Sequence, residues 1–288
     1  ALSIMRLLAR NAHWDCQGEV VFQNGTEPAQ NLLNLSEQNM RKLRGHQVAM
    51  IFQEPMTCLN PVMTVGQQIA ESVRLHLGLD PTAAKACALR ALEQVEIPAA
   101  HQRFHEYPHQ LSGGMRQRVM IAMALSCNPK LLLADEPTTA LDVTIQAQIL
   151  DLLRHLQEEF KMAVIIITHN LGVVAEFADR VLVMYAGRTA EQASVENVFD
   201  RPAHPYTEGL IASIPDLDAD VHRLTAIPGT LPNPQSLPPG CRFQPRCVYA
   251  RDACATGLPP LVGVEAAHYA ACIRHTDYRF DAMVEVVR

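Results

Sequence analysis

The chain alternates between short, continuous apolar runs and longer segments with helical periodicity. The apolar runs have the length of buried strands and cover residues 48–52, 130–134, 162–167 and 180–185. The periodic segments predict amphipathic helices and cover residues 64–95, with a break near 78–81, and residues 112–127 and 142–160. Apolar strands that alternate with helices are typical of a mainly parallel sheet covered on both faces. The pattern therefore predicts an α/β fold.

The N-terminal part carries weaker signals. Residues 2–10 have apolar positions at about helical spacing, which predicts a helix. No capping residue precedes that helix, so we expect the natural chain to begin upstream; a frayed native terminus is the alternative. Residues 19–22 predict a short strand, and Asn24-Gly25 after it is a hairpin turn signal.

The composition changes after about residue 195. Residues 202–260 hold 11 of the 19 prolines, and four of the eight cysteines lie beyond residue 240. Proline-rich chain cannot continue a helix or a central strand. We therefore predict an α/β domain over residues 1–195 and a separate, loop-rich extension over residues 196–288.

Composition and charge exclude several classes of protein. Apolar residues make up 48% of the chain and charged residues 19%, which disfavours disorder. The net charge of −6 disfavours a nucleic-acid clamp or a polybasic membrane binder. No apolar run in the sequence is long enough to span a bilayer, so a membrane role would require partner subunits. The eight cysteines, without a recognisable signal peptide, indicate a reducing compartment.

Two carboxylates follow the apolar run at residues 130–134. Asp135 and Glu136 would lie at the carboxyl edge of the sheet, where ligands bind in α/β proteins. Asp135 could hold Mg²⁺ that bridges phosphate oxygens, and Glu136 could orient or deprotonate an attacking water. An acidic pair after a strand can equally be a simple helix cap or turn.

A glycine-containing motif precedes the second predicted helix. Ser112 can cap that helix, and Gly113 and Gly114 let the backbone approach a ligand closely. Backbone N–H groups at a helix N-terminus favour phosphate. An ordinary capped turn is the alternative interpretation.

Further polar residues follow the other predicted strands. Gln53 comes after the run at 48–52, and His169 after the run at 162–167. Residues 140–142 (Ala-Leu-Asp) follow the acidic pair and could lie at a subunit contact. A single glutamine or histidine at such a place more often has a structural role. All five features occur in one order along the chain, however: Gln53, the glycine motif, the acidic pair, residues 140–142 and His169. Such an order is improbable by chance.

Together these motifs resemble those of the ATP-binding subunits of ABC transporters. Gln53 matches the Q-loop glutamine, residues 111–115 the signature motif, residues 131–135 the Walker B strand and residues 140–142 the D-loop. In the tail, His-Pro-Tyr-Thr at 204–207, Ile-Pro-Gly at 227–229 and residues 240–247 are similar to the C-terminal extension of the dipeptide and oligopeptide importer subfamily.

The resemblance implies a P-loop NTPase-like core with a helical subdomain at about residues 60–115. It implies ATP and Mg²⁺ as cofactors and two sets of site residues. The catalytic and Mg²⁺-binding set is Glu136, His169, Gln53 and Asp135, with Gln53 and Asp135 at the metal. The set that contacts the ATP of a partner subunit is Ser112, Gly113, Gly114 and Gln117.

The resemblance also implies partners and a location. We expect a sister ATPase subunit, two membrane-spanning permease subunits and, through the permease, a solute-binding protein. We expect no nucleic-acid partner. The protein would be peripheral, on the cytoplasmic face of the bacterial inner membrane. A further alternative is an ATPase head that acts in DNA repair or translation. Such proteins carry long coiled coils or a second ATPase head, neither of which is visible in this sequence, and the tail with His-Pro-Tyr-Thr favours the importer.

One family motif is missing from the sequence. A P-loop reads G-x-x-x-x-G-K-[ST], yet none of the four lysines follows a glycine-rich loop. We expect that segment immediately upstream of residue 1. The hypothesis is that the full-length parent hydrolyses ATP, whereas these 288 residues alone do not bind it tightly. The alternative is a non-catalytic subunit that lends its signature motif to an intact partner ATPase.

The tail cysteines form a possible metal site. Cys241, Cys247, Cys254 and Cys272 are separated by five, six and seventeen residues and lack the short zinc-knuckle spacing. The subfamily resemblance implies a [4Fe–4S] cluster in some members; zinc and plain buried thiols stay open. His268 could be an alternative ligand or an ordinary surface histidine. The remaining cysteines are predicted core residues: Cys16, Cys58, Cys87 and Cys127.

Overall fold

The computed structural model describes residues 1–8, 16–53, 58–139, 141–214 and 226–277. The chain forms two compact units, Ala1–His169 and Asn170–Arg288. This division falls before the compositional change at residue 195, because the strand at residues 188–194 pairs with a strand of the tail. The domain boundary predicted at residue 195 stays a prediction.

The first unit contains the predicted parallel sheet. Its strands are β3 (Val48–Ile51), β4 (Leu131–Asp135) and β5 (Ala163–Ile167), with β4 in the middle and both pairings parallel. Residues Leu132, Leu133 and Ala134 of β4 are fully buried, as a continuous apolar run predicts. This confirms the α/β prediction for the first unit.

A short hairpin precedes that sheet. Strands β1 (Val21–Phe22) and β2 (Gln30–Asn31) pair antiparallel, and Gly25 between them has a positive φ of 54°. Helix α1 (Glu37–Leu43) follows. Met5, Leu32, Met40 and other buried side chains form a core against β3 and β4.

The predicted helix over residues 2–10 is wrong for its described part, residues 2–8. These residues form turns, and Arg6 has a positive φ of 51° that a right-handed helix does not allow. The Arg44 guanidinium stabilises the turn, because its Nε donates to the Met5 carbonyl at 2.7 Å and its Nη2 to the Arg6 carbonyl at 3.0 Å. Ala9 and Arg10 lie outside the described residues.

Helices α2 (Val65–Leu77), α3 (Pro81–Gln94) and α4 (Ala100–Arg103) lie between β3 and the glycine motif. Thr64 and Gln67 form a capping box at the start of α2, and Gly78 ends it with φ of 65°. Asp80 caps α3, which begins with Pro81. These two caps explain the break in the periodic segment.

Two long helices flank β4 in sequence. Helix α5 (Gly113–Leu125) is capped by Ser112, whose Oγ accepts from the Met115 N–H at 3.3 Å. Helix α6 (Val143–Phe160) is capped by Asp142, which accepts from the Ile145 N–H at 2.9 Å. The apolar face predicted for α6 is buried at Ile149, Leu152, Leu153 and Leu156, while Phe160 is half-buried.

The second unit is built on a separate, antiparallel sheet. Its strands are β6 (Arg180–Tyr185), β7 (Arg188–Ser194), β8 (Val262–Glu265) and β9 (His268–Ala270), in the order β6-β7-β9-β8. The run at 180–185 is therefore not paired as a strand of the parallel sheet. Ala186 and Gly187 both have positive φ and form a two-residue hairpin, which forces β6 and β7 to be antiparallel.

Short helices and an aromatic core complete the second unit. The helices are α7 (Leu171–Phe177), α8 (Val195–Asp200), α9 (Pro205–Ala212), α10 (Ala253–Thr256) and α11 (Arg274–Asp277). The rings of Tyr185, Tyr206 and Phe243 lie with centroids 4.6–5.5 Å apart. These contacts join the sheet to the predicted loop-rich extension.

Two predictions need correction, one for a histidine and one for a cysteine. His268 is only 1% exposed, so it is not a surface histidine. Its Nε2 lies 2.7 Å from Oε1 of Glu191, which is itself fully buried. Cys127 is buried as predicted and Cys58 and Cys87 are half-buried, but Cys16 is exposed, because it lies in irregular chain before β1 rather than within a packed element.

Candidate functional site

Three side chains converge on the Glu136 carboxylate in the first unit. Gln53 donates from Nε2 to Oε2 at 3.0 Å, and Thr139 donates from Oγ1 to the same oxygen at 2.7 Å. Nδ1 of His169 lies 2.9 Å from Oε1. Three residues predicted from separate motifs, Gln53, Glu136 and His169, are thus in direct contact.

The register of the parallel sheet explains this convergence. Ile51, Ala134 and Ile166 lie side by side in the three strands. Gln53 and His169 each follow their strand by two residues, and Glu136 follows β4 directly. Because parallel strands end at one edge of a sheet, the side chains that follow them meet there.

The backbone at Glu136 has an unusual conformation. Its φ is +47°, in the left-handed region that non-glycine residues seldom adopt. The Glu136 N–H donates to the Ile167 carbonyl at 2.8 Å, and its carbonyl accepts from the Thr139 N–H at 3.2 Å. Strained backbone of this kind clusters at functional sites.

The electrostatic environment keeps Glu136 ionised. The hydrogen bond from Thr139 lowers its pKa most, followed by that from His169, with Gln53 contributing less, while partial burial opposes them. The side chain remains 20% exposed and can be reached by water. A charged, accessible carboxylate of this kind can accept a proton from an attacking water.

Asp135, the predicted Mg²⁺ ligand, lies at the end of the central strand, and its metal-binding role stays a prediction. It is the last residue of β4, half-buried and next to Glu136, and no described residue forms a hydrogen bond or ion pair with its carboxylate. Within the described ranges, no three His, Cys, Asp or Glu side chains are arranged to hold a metal ion by themselves. An aspartate at the end of a strand is one of the carboxylate ligands that Mg²⁺ typically takes together with phosphate oxygens and water.

The glycine motif lies at the start of α5. Ser112 and Gly113 are exposed, and a Cβ added to Gly113 would meet nothing within 4 Å. A Cβ added to Gly114 would lie 3.1 Å from Cγ2 of Ile145 in α6. Open space at Gly113 suits close approach of a ligand, and Gly114 lies beside Ile145. The predicted contact of both glycines with a partner's ATP stays a prediction.

Gln117 is placed differently from the other motif residues. It is 3% exposed, and its Nε2 donates to the carbonyl of Pro137 at 2.6 Å. Its predicted contact with a partner's ATP stays a prediction. In the D-loop, Ala140 lies outside the described residues, while Asp142 caps α6.

Thr139 is the site residue that the sequence analysis missed. Its hydroxyl is three residues after Glu136, a spacing at which side chains commonly bond across a turn. The three-residue spacing from Glu136 is a signal for such a bond. Thr138 and Thr139 are adjacent, however, and the sequence does not show which of the two hydroxyls faces the carboxylate.

The second unit contains a cysteine-lined cavity of about 170 Å³. All four tail cysteines line it: Cys241, Cys247, Cys254 and Cys272. The Cys241 N–H donates to the Cys254 carbonyl at 2.8 Å, which joins two of the segments. Burial raises the pKa of Cys241 and Cys272, and raises that of Cys247 to about 11. His268 does not line this cavity.

The first unit defines a class of protein. A carboxylate after the central strand of a parallel sheet, beside an aspartate and in contact with an amide and an imidazole, suits hydrolysis of a nucleotide phosphate. Family models then give the family. Residues 3–139 match the model described as ABC transporter, and residues 190–254 match that of the oligopeptide/dipeptide transporter C-terminal region.

The chain belongs to the ATP-binding subunits of ABC transporters, which confirms the resemblance found in the motifs. A peptide import ATP-binding protein of Brucella abortus (strain 2308) is 54% identical over 260 residues, covering 90% of this chain and 76% of that protein. One of Brucella melitensis biotype 1 is 52% identical over 280 residues, covering 95% of this chain and 83% of that protein.

Solved ABC cassettes have the same fold. The dimeric cassette MJ0796, bound to ADP and Pi in a post-hydrolysis state, is 29% identical with a TM-score of 0.51 and covers 56% of this chain and 68% of its own. CbiO1 from Clostridium perfringens is 29% identical with a TM-score of 0.50 and covers 57% of this chain and 62% of its own. The predicted P-loop NTPase-like fold is confirmed by these neighbours.

Family membership carries cofactors and coarse partners. ABC ATP-binding subunits bind ATP with Mg²⁺, and those of importers associate peripherally with membrane permeases. In the parts of this chain that the structure describes, no helix is long and apolar enough to cross a membrane.

Proposed function

We propose that this protein is the ATP-hydrolysing subunit that energises import of dipeptides or oligopeptides by an ABC transporter. The observation that carries the proposal is the convergence of Gln53, Thr139 and His169 on Glu136. The match of residues 190–254 to the peptide-transporter C-terminal region supports the substrate class.

Each residue of the site has a chemical task in this proposal. Glu136 accepts the proton of the attacking water, and its lowered pKa keeps it ionised for that task. His169 orients the carboxylate through Nδ1. Bound Mg²⁺ would neutralise charge on the transferred phosphoryl group, and Asp135 and Gln53 are the residues that would hold it.

Ser112 and Gly113 are proposed to contact the ATP of a sister subunit. They lie at the exposed N-terminus of α5, which suits phosphate binding. We further propose a heterodimer of ATPase subunits on two permease subunits that receive solute from a binding protein, at the cytoplasmic face of the bacterial inner membrane. Nucleic acid is not among the proposed partners.

The P-loop is proposed to belong beside β5. Among the described residues, β5 has a strand neighbour on one side only, and its Ile165 is 43% exposed despite lying in a continuous apolar run. A further strand that carries a P-loop would fit this edge. We also propose that these 288 residues alone do not bind ATP tightly, because their sequence contains no P-loop. ATP titration of the chain is the test: we expect no tight binding, and micromolar binding without a partner would contradict this part of the proposal.

Transport activity tests the function as a whole. The full-length protein is assembled with its sister subunit and permease in liposomes, and ATP hydrolysis and peptide uptake are measured together. We expect Glu136→Gln to lower turnover by about 10²- to 10⁴-fold, the range of general-base catalysis. Parental turnover in that variant would exclude Glu136 as the base. A catalytically silent wild-type site beside an active sister subunit would favour the non-catalytic alternative.

We also propose a [4Fe–4S] cluster in the second unit. Four cysteines line one cavity, and four cysteine thiolates are the ligand set of such a cluster. Bound there, the cluster would supply redox chemistry or a cross-link between the tail segments, held by Cys241, Cys247, Cys254 and Cys272.

Anaerobic purification tests the cluster. We expect about four iron atoms and four inorganic sulfides per chain, with a visible absorption band. Cys247→Ser should lower iron content, whereas Cys87→Ser, outside the cavity, should not. Colourless, iron-free protein from that preparation would exclude the cluster.

A further inference from the structure

We propose that Gln117 is a positioning residue that orients the catalytic Glu136 from within the helix that carries the signature residues. The proposal rests on the ATPase function proposed above. It differs from the role implied by the motif, which placed Gln117 at the ATP of a partner subunit.

The side chain of Gln117 faces the catalytic loop. It lies in the interior of α5, is 3% exposed and donates from Nε2 to the Pro137 carbonyl at 2.6 Å. A buried amide costs little stability when its hydrogen bonds are made, whereas a buried carbonyl left without a donor destabilises the folded protein. The bond therefore fixes the Pro137 carbonyl relative to α5.

The bonded carbonyl belongs to the residue that follows Glu136. Glu136 has the left-handed φ of +47°, and its own N–H donates to the Ile167 carbonyl of β5 at 2.8 Å. The segment is thus held at Glu136 by β5 and at Pro137 by α5. A strained backbone conformation persists only when surrounding contacts hold it. Loss of either hydrogen bond therefore lets the backbone at Glu136 relax and changes the orientation of its carboxylate.

The position of Gln117 in α5 connects two parts of the mechanism. It lies four residues after Gly113, about one turn further along the same face of the helix. A movement at the N-terminus of α5 therefore moves the donor of the Pro137 bond. Within one subunit, Gln117 links the signature end of α5 to the orientation of Glu136.

Steady-state kinetics test the proposal in the full-length protein assembled with its partner subunits. Gln117→Met keeps side-chain length but removes the donor. We expect kcat to fall about 10- to 100-fold, the scale of a small misplacement of a catalytic group. KM for ATP should change by less than about twofold, because the bond does not touch nucleotide.

Arg118→Met is the matched control on the same helix. It removes a donor to another backbone carbonyl, that of Val95 at 2.7 Å, away from the catalytic loop. We expect a similar or larger loss of thermal stability and a kcat near the parental value. Equal kcat losses in the two variants would mean that Gln117 acts only through general stability and would overturn the proposal.

The kinetic pattern separates the alternatives. A raised KM with unchanged kcat would indicate direct contact with nucleotide and would overturn the positioning role. In the Glu136→Gln background, Gln117→Met should cause no further loss, and a multiplied loss would contradict the proposal. Parental turnover in Glu136→Gln alone would instead count against the proposed ATPase role of Glu136.

A second variant covers the case in which Gln117→Met folds poorly. In Gln117→Glu, burial raises the pKa of the new carboxylic acid, and its protonated form can again donate to the Pro137 carbonyl. We expect turnover relative to the parent to recover as pH falls from about 8 to about 6. A ratio that does not change with pH would overturn the proposal.

Discussion

Two glutamates, one in each unit, each accept three hydrogen bonds but in contrasting ways. Glu136 accepts from three side chains, Gln53, Thr139 and His169, and keeps 20% of its side chain exposed. Glu191 in β7 is fully buried. It accepts from the backbone N–H groups of two tail residues at 2.8 and 2.9 Å and contacts the His268 imidazole at 2.7 Å.

The difference lies in what can move. Side-chain donors such as those at Glu136 can rotate away and be replaced by water or substrate. Backbone donors such as those at Glu191 move only if the fold moves. The arrangement at Glu136 suits a group that must change partners during a reaction. The arrangement at Glu191 suits a permanent link that joins β7 both to β9 and to the segment that precedes α9.

The largest expected effect is on stability, at Glu191. Glu191→Ala removes the acceptor for two buried N–H groups and for His268. Removing one partner of a buried, hydrogen-bonded pair of this kind costs about 3–5 kcal/mol. We expect urea unfolding to show that loss in free energy of unfolding, with cooperative loss of the second unit.

Glu191→Gln sharpens this prediction. The amide keeps one acceptor oxygen but presents an NH₂ group toward donors, so we expect an intermediate loss. A loss below about 1 kcal/mol in Glu191→Ala would mean that Glu191 is not a structural link, and the contrast with Glu136 would fail.

The next effect is on pH dependence, at Thr139. Its hydroxyl is the largest cause of the lowered pKa of Glu136. Thr139→Val removes that bond at nearly constant volume, so the pKa of Glu136 should rise and the acid limb of turnover should move to higher pH. Thr138→Val, at the neighbouring buried threonine, is the control. An unshifted acid limb would show that Thr139 does not keep Glu136 ionised.

The same pKa shift has a consequence for folding. Because the pKa of Glu136 is lower in the folded state than in the unfolded state, its bonds stabilise the fold above the unfolded pKa. That contribution disappears as pH falls through the folded pKa. Thr139→Val should therefore lower the free energy of unfolding at neutral pH and reduce the part of it that is lost as pH falls from the unfolded pKa of Glu136 through its folded pKa.

The sequence predicted the Glu136 site better than the Glu191 link, for a physical reason. Buried parallel strands are continuous apolar runs, and the residues after them must lie at the sheet edge, so Gln53, Glu136 and His169 could be found. Glu191 lies in the polar segment 188–194, which resembles surface chain. Its partners are 12, 13 and 77 residues away, beyond any local pattern.

The same limit explains the other differences. The apolar pattern predicted a strand at 180–185 but not the sheet to which that strand belongs. The hairpin turn after it requires a positive φ at Ala186, and an alanine in the sequence does not predict that conformation. The sequence placed Gln117 by motif, but the direction of a helical side chain depends on which loop packs beside it. Helical spacing at residues 2–10 could not reveal that Arg44 binds the Met5 and Arg6 carbonyls.

The smallest expected effect concerns Glu265, an acidic residue of β8 in the same sheet as Glu191. It pairs with Arg201 at 3.0 Å, but the two side chains are 47% and 60% exposed. Exposed ion pairs contribute at most about 1 kcal/mol, because water and salt screen them. We expect Glu265→Ala to change the free energy of unfolding by less than that, and the change to vanish at high salt. A loss as large as that of Glu191→Ala would mean that position in the sheet, rather than burial and backbone donors, decides what a carboxylate contributes.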